Sequence, residues 1–282
     1  MSSNPIAKAI PSSVVDACGQ HIGDVIKIET LSGLSGRTVA AVFGTDGSLV
    51  VKGPAPAAEV EVMRRFPEQF QQYGIRTPGT LTIVELKSSE TWILMEHLPD
   101  PLPRNRWGAD PEVLAVLGNL HGFPAELIKD IPERYQPRWD NTMTAQAATA
   151  LSLDGPTTLH LETIADQAGQ LFEPDCVISG DPNPLNWRLD PDGLPVLLDL
   201  ERLTVANPAI DLTIMIPGFP HREDLSAMLR AYPGQNPPTV DEVLMAKAWS
   251  VVELAAMSTE KLAVQSVVSQ LRSPFLSWID AL

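Results

Sequence analysis

The chain has 282 residues, long for one hydrophobic core, with 44% hydrophobic and 20% charged residues, as in ordinary globular proteins. Asp plus Glu number 35 against 20 Lys plus Arg, a formal charge of −15. That balance argues against a protein built to neutralise nucleic-acid phosphates or to lie on an anionic membrane, and it suits a cationic small-molecule partner. Two cysteines, Cys18 and Cys176, stand outside any Cys-x-x-Cys pair, so neither a disulfide framework nor a structural zinc site is expected. The segment MSSNPIAKAIPSS lacks the apolar core of a signal peptide, and no apolar run approaches the roughly 20 residues of a membrane span. A cytoplasmic protein is expected, with no nucleic acid and no membrane as partner.

Residues 12–20 read as a short helix capped by Ser12 or Ser13. Three strand-like runs follow, DVIKIET, RTVAAVF and SLVVKG, separated by the glycine-bearing connectors SGLSG and GTDG. A helical pattern covers about 57–73, with Val60, Met63, Phe66 and Phe70 on the face expected to pack on the sheet. TLTIVEL and TWILMEH read as two more strands. Pro99, Pro101 and Pro103 then exclude regular structure and mark a boundary between lobes at 1–98 and 99–282.

Beyond the boundary the chain reads as helical over about 110–121, 141–152, 157–171, 208–215, 222–231 and 240–270, with a short last helix near 274–281. The exception is 176–200, where CVIS, NWRL and PVLLDL read as short strands around the turn Asp190-Pro191-Asp192-Gly193. The expected fold class is α+β: a small antiparallel β-rich lobe followed by a larger α-helical lobe with an embedded hairpin.

The segment SGDPNPLNWRLDPDGLPVLLDLERL carries the chemistry. Asp181 and Asn186 lie five positions apart in a proline-interrupted loop that can turn both side chains to one point. The hairpin folds the chain back, so Asp199 returns near Asn186. This makes one carboxylate base candidate and two oxygen ligands for a hard cation; Mg2+ is held in this way, by few side chains together with waters and substrate phosphates. A carboxylate closing the apolar run Val196-Leu197-Leu198 also needs a partner, and a metal is one. Asp190 and Asp192 belong to a turn too short for a calcium loop, and there is no Gly-x-x-x-x-Gly-Lys-Ser/Thr run.

The segment resembles the catalytic core of the aminoglycoside phosphotransferase and choline kinase family, relatives of the protein kinases. Ser179-Gly180-Asp181, Asn186 and Asp199-Leu200-Glu201 follow that family's order, and Asn207-Pro208-Ala209-Ile210-Asp211-Leu212 resembles a later stretch in which Asp211 braces the catalytic loop. The resemblance extends over about 31–216 and implies a bilobal protein-kinase-like fold. It implies that Asp181 is the catalytic base and that Asn186 and Asp199 hold magnesium. It makes LSGLSGRTVAAVF a glycine loop whose Gly33, Ser35 and Gly36 approach phosphates. Lys52 becomes the phosphate-binding lysine and Glu59, rather than Glu61, its helix partner. The backbone of Glu96, His97 and Leu98 becomes the adenine-binding connector, and His121 ends a Leu-x-x-Leu-His helix. Ser179 departs from the family by replacing a bracing histidine, and Gly36 stands where many relatives have Asn.

The implied activity is transfer of the γ-phosphoryl group of ATP or GTP, with Mg2+, to a hydroxyl of a small acceptor such as an amino sugar or choline-like amine. The alternative is a catalytically degenerate nucleotide-binding pseudokinase acting as a regulator, which the replacement at Ser179 motivates. No extended segment follows Asp199 in the manner of an activation loop, which disfavours a protein acceptor. The acceptor pocket is expected from 104–110, 134–142 and 217–260, where Trp107, Trp139, Asp140, Trp249 and Glu253 offer aromatic faces and acids to an ammonium group.

Overall fold

The computed structural model describes residues 10–31, 36–259 and 262–281. Helix α1 (Ser12–Ile22) leads into strands β1 (Val25–Thr30), β2 (Thr38–Gly44) and β3 (Ser48–Gly53). Helices α2 (Ala57–Arg65) and α3 (Pro67–Gln72) follow, then β4 (Thr80–Glu85) and β5 (Thr91–Glu96). The five strands form one antiparallel sheet in the order β1-β2-β3-β5-β4. Val14, Cys18 and Ile22 of α1 pack on one face of it, against Val42, Leu49, Val51, Trp92 and Leu94. The cap of α1 differs from expectation: Pro11 occupies the N-cap and no side chain caps the helix.

The single helix expected over 57–73 is broken in two. Pro67 has no N–H to continue the ladder and opens α3 at its first turn. The break also divides the apolar face. Val60 and Met63 pack on Ile93 of the sheet, whereas Phe66 and Phe70 turn away and pack with Phe123 in the core of the helical lobe.

The second lobe contains α4 (Pro111–His121), α5 (Asn141–Leu151), α6 (Gly155–Gln167), α7 (Ala209–Met215), α8 (Arg222–Ala231), α9 (Val240–Ser258) and α10 (Leu262–Ile279). The pattern over 240–270 is therefore two helices, and the segment near 274–281 is the end of α10, which carries Pro274 inside it. Leu114, Leu117, Leu120, Val243, Val252 and Phe275 belong to one large core. Embedded in this lobe are β6 (Cys176–Ile178), β7 (Trp187–Leu189), β8 (Pro195–Leu197) and β9 (Thr204–Ala206). β7 and β8 form the expected hairpin, and β6 pairs with β9, a strand the sequence did not announce. At the hairpin turn Asp190 Oδ1 accepts from the Asp192 and Leu194 N–H groups at 2.9 and 2.8 Å. No helix among the described residues is long and apolar enough to cross a membrane.

Candidate active site

Lys52 lies on β3, where its backbone pairs with Val39 of β2 and Ile93 of β5. A central strand fixes its direction, and the side chain is 6% exposed. Its ammonium meets Glu59 Oε1 at 2.8 Å and Asp199 Oδ1 at 2.8 Å, with Glu201 Oε2 at 3.6 Å. Glu61, the competing acid, instead bridges Arg64 and Arg65 on the outer face of α2. Arg37 donates from Nε to Glu201 at 3.2 Å and from an Nη to the Pro54 carbonyl at 2.7 Å.

Two cations thus face three carboxylates, Glu59, Asp199 and Glu201, whose oxygens lie within 4.8 Å of one another. Burial would lower the Lys52 ammonium, but the three surrounding carboxylates outweigh it and hold the group protonated. Burial pushes the Glu59 carboxyl up to about 7 against the pull of Lys52, because Asp199 and Glu201 add repulsion. Glu59 Oε2 is also buried without a hydrogen-bond partner. A donor set of hard oxygens with excess negative charge fits a divalent cation such as magnesium.

Two features set the loop that carries Asp181. Gly180 has φ +77°, and a Cβ there would fall 2.5 Å from the Arg202 carbonyl, so only glycine fits. Behind the loop, fully buried Asp211 accepts from the Ser179 and Gly180 N–H groups at 2.7 and 2.8 Å and lies 3.1 Å from His121 Nε2. The His121 ring is held in turn by the Tyr232 hydroxyl at 2.5 Å from Nδ1. Ser179 is fully buried and its hydroxyl has no partner.

Asp181 follows Gly180. Burial raises its carboxyl, opposed by the Asn183 amide, which donates to Oδ1 at 2.8 Å, and by Arg202. Asn186 donates from Nδ2 to the Asp181 carbonyl at 2.9 Å, which leaves its Oδ1 as the atom available to a cation. Trp187 Nε1 donates to the Pro182 carbonyl at 3.0 Å and ties the loop to the core. Asp199 leaves β8 in the left-handed region at φ +56°, a conformation Asp tolerates better than most residues and one that clusters at functional sites.

Lys52, Glu59, Glu96, His97, Leu98, Asp181, Asn186 and Asp199 line one cleft of about 780 Å³. His97 Nδ1 lies 2.9 Å from the Ser48 hydroxyl. Gly36 has φ +74° with open space around its Cα, while Gly33 and Ser35 lie outside the described residues. His121 is part of the brace rather than of the cleft.

The expected aromatic lining does not form. Trp249 is fully buried and donates to the Arg138 carbonyl, Trp107 donates to the Leu102 carbonyl, and Trp139 donates to Thr144. Asp140 caps α5 by accepting from the Met143 N–H. Of the five residues expected there, only Glu253 lines the cleft. Trp249 is drawn into the core, while Trp107 and Trp139 pack half-buried against it, each with its N–H satisfied by a nearby acceptor.

Sequence reasoning missed Arg202, Tyr135 and Lys247. Arg202 donates to both oxygens of Glu253 at 2.6 Å, and the Tyr135 hydroxyl joins that pair. Lys247 is 6% exposed and donates to the Thr213 and Ile216 carbonyls at 2.8 and 2.9 Å. Its one sequence signal was a lone cation in the apolar run LMAKAWSVV.

The profile of the phosphotransferase enzyme family matches residues 27–243. No curated protein matches the chain in sequence. Among solved structures, the choline kinase of Streptococcus pneumoniae superposes with a TM-score of 0.62 at 11% identity, covering 96% of this chain and 99% of that one. The GDP complex of wild-type aminoglycoside 2′-phosphotransferase gives 0.66 at 13%, covering 96% of each chain. Spectinomycin phosphotransferase in complex with ADP and spectinomycin gives 0.63 at 14%, covering 96% and 93%. At such identities the likeness concerns the fold, which is bilobal and kinase-like.

Proposed function

The chain belongs to the phosphotransferase enzyme family, and on that premise we propose that it transfers the γ-phosphoryl group of ATP or GTP to a hydroxyl of a small molecule. The carrying observation is the meeting of Lys52, Glu59 and Asp199 in the cleft that Asp181 and Asn186 also line. Phosphoryl transfer demands little covalent chemistry of the protein; it needs positioning and neutralisation of phosphate charge.

In this reading the nucleotide lies between lobes divided at 98/99. Its base edge meets the backbone of Glu96, His97 and Leu98, and its phosphates approach Gly33, Ser35 and Gly36. Lys52 binds a phosphate, held in direction by Glu59. Asn186 Oδ1 and Asp199 hold magnesium, which when bound neutralises charge on the phosphates. Asp181 orients the acceptor hydroxyl and takes its proton. Burial raises this carboxyl and so increases its basicity, while Asn183 and Arg202 keep the ionised form accessible. The brace from Asp211 to the Ser179 and Gly180 amides fixes the loop that carries Asp181. Glu201, bound to Arg37, adds to the negative field that a metal would meet.

The test is the melting temperature of the purified protein with ATP or GTP, with and without magnesium. A ligand that binds only the native state raises it by mass action, about 2.7 kcal/mol of stabilisation at a hundredfold excess over Kd. A magnesium-dependent rise is expected and identifies the preferred base. No rise with either nucleotide overturns the proposal.

A further inference from the structure

One end of the cleft is furnished by the strands that carry Lys52 and Glu96. The other is walled by the catalytic-loop residue Leu185, by Ile214 of α7, by Leu254 and Met257 of α9, and by Val264 and Val267 of α10. Asp181 is coupled electrostatically to both sides, to Asp199 and to Glu253 of α9. Leu185 is 69% exposed, a large apolar side chain left uncovered beside Asp181 on the loop itself. Among the described residues lining this second end, Glu253 is the one carboxylate on the helices, and both its oxygens are already engaged by Arg202, with Tyr135 added. Apart from Asp181 itself, the other charges described there are positive. Arg202 is committed to Glu253, and the Lys247 ammonium is sunk in the wall with two carbonyl acceptors and, among the described residues, no carboxylate within ion-pair distance. Burial draws that lysine down to about 8.

A cationic acceptor entering this end would lose its water against aliphatic side chains. It would meet an Arg202–Glu253 pair of no net charge and the buried Lys247 ammonium, and no tryptophan face is presented to it among the described residues. An apolar body would instead release water from the same wall and cover Leu185.

We propose that the acceptor is an alcohol with an apolar body and no cationic centre, bound against Leu185, Ile214, Leu254, Met257 and Val267. This rests on the phosphotransferase reading. In the transfer, the alcohol oxygen bonds to the γ-phosphorus, the bond to the bridging oxygen breaks with its electron pair leaving on the nucleoside diphosphate, and the hydroxyl proton passes to Asp181.

The test uses a matched pair of probes, 1-octanol and 8-amino-1-octanol, with kanamycin as a polycationic reference. Each is supplied at equal concentration with magnesium and the nucleotide that shifts the melting temperature. Release of nucleoside diphosphate and formation of phosphorylated alcohol are read together. Transfer to 1-octanol is expected to exceed transfer to the amino alcohol by tenfold or more. Met257→Asp or Val267→Asp, each placing a carboxylate on the half-buried wall, is expected to narrow or invert that ratio. Equal or better transfer to the amino alcohol or to kanamycin overturns the inference, and so does an absence of transfer to 1-octanol while magnesium-nucleotide still raises the melting temperature. If the nucleotide itself gives no rise, the phosphotransferase reading falls first and the acceptor class falls with it.

Discussion

Replacing Asp211 by alanine tests whether the loop that carries Asp181 depends on its buried brace. The carboxylate is fully buried and accepts the Ser179 and Gly180 N–H groups at 2.7 and 2.8 Å. Alanine leaves both amides buried without an acceptor, and each orphaned donor costs about 1–3 kcal/mol, so the loss is about 2–6 kcal/mol. For a chain of this size about 1 kcal/mol moves the melting temperature by about 2–4 °C, so a fall of about 5–20 °C is expected. Asp211→Asn should lose about half as much. Its oxygen can still serve one amide, but its NH2 group then faces the other donor. Asp181 follows Gly180 directly, so turnover should fall with stability, while nucleotide affinity, set on β3 by Lys52, should change little. The measurements are a thermal melt, a nucleotide titration and a turnover assay on each variant. A melting temperature for Asp211→Ala within about 2 °C of wild type would refute the reasoning.

Glu59→Gln should change the pH dependence of stability. The folded carboxyl at about 7 holds its proton more tightly than an ordinary one at 4.5. Its contribution is therefore present below about 4.5 and is lost as the pH rises through 7, on the order of 3 kcal/mol. Urea midpoints at pH 4.5 and 8 should show the wild type losing stability relative to the variant across that range; parallel curves would count against the burial-raised carboxyl. Gly180→Ala should cost about 1–3 kcal/mol from its left-handed backbone alone, with more from the Arg202 carbonyl 2.5 Å from the new Cβ; an unchanged melting temperature would contradict it. Asp181→Asn should keep nucleotide affinity and abolish nearly all turnover, and near-normal transfer by this variant would sink the assignment of the base. Asn183→Ala removes a donor that lowers the Asp181 carboxyl, so the acid limb of the rate profile should move to higher pH; an unmoved limb would separate Asp181 from the rate-controlling ionisation.

The order of elements was legible because it rests on local rules. Alternation and β-branched runs gave the strands of the first lobe, helical spacing gave most helices of the second, and the Asp-Pro-Asp-Gly turn set the β7–β8 hairpin. Asp181, Asn186 and Asp199 could be singled out because a proline-interrupted loop followed by a hairpin brings them back to one place, whatever packs around them. The sequence did not show how the helix over 57–73 would divide its face, since Phe66 and Phe70 serve a core whose other half, Phe123, lies some fifty residues away. Nor did it show that Trp249 would be internal and that Trp107 and Trp139 would pack half-buried against the core. An aromatic residue on a helix, such as Trp249, reads alike whether it faces a ligand or the core, and only the packing of α5 and α7 on α9 decides. The charge of the proposed acceptor end was equally out of reach. Glu253 is an acid by sequence, but Arg202 reaches it from 51 positions away and neutralises it. Periodicity and turn chemistry are properties of neighbouring residues and are written along the chain, whereas ion pairing and burial between distant segments exist only once the lobes have packed.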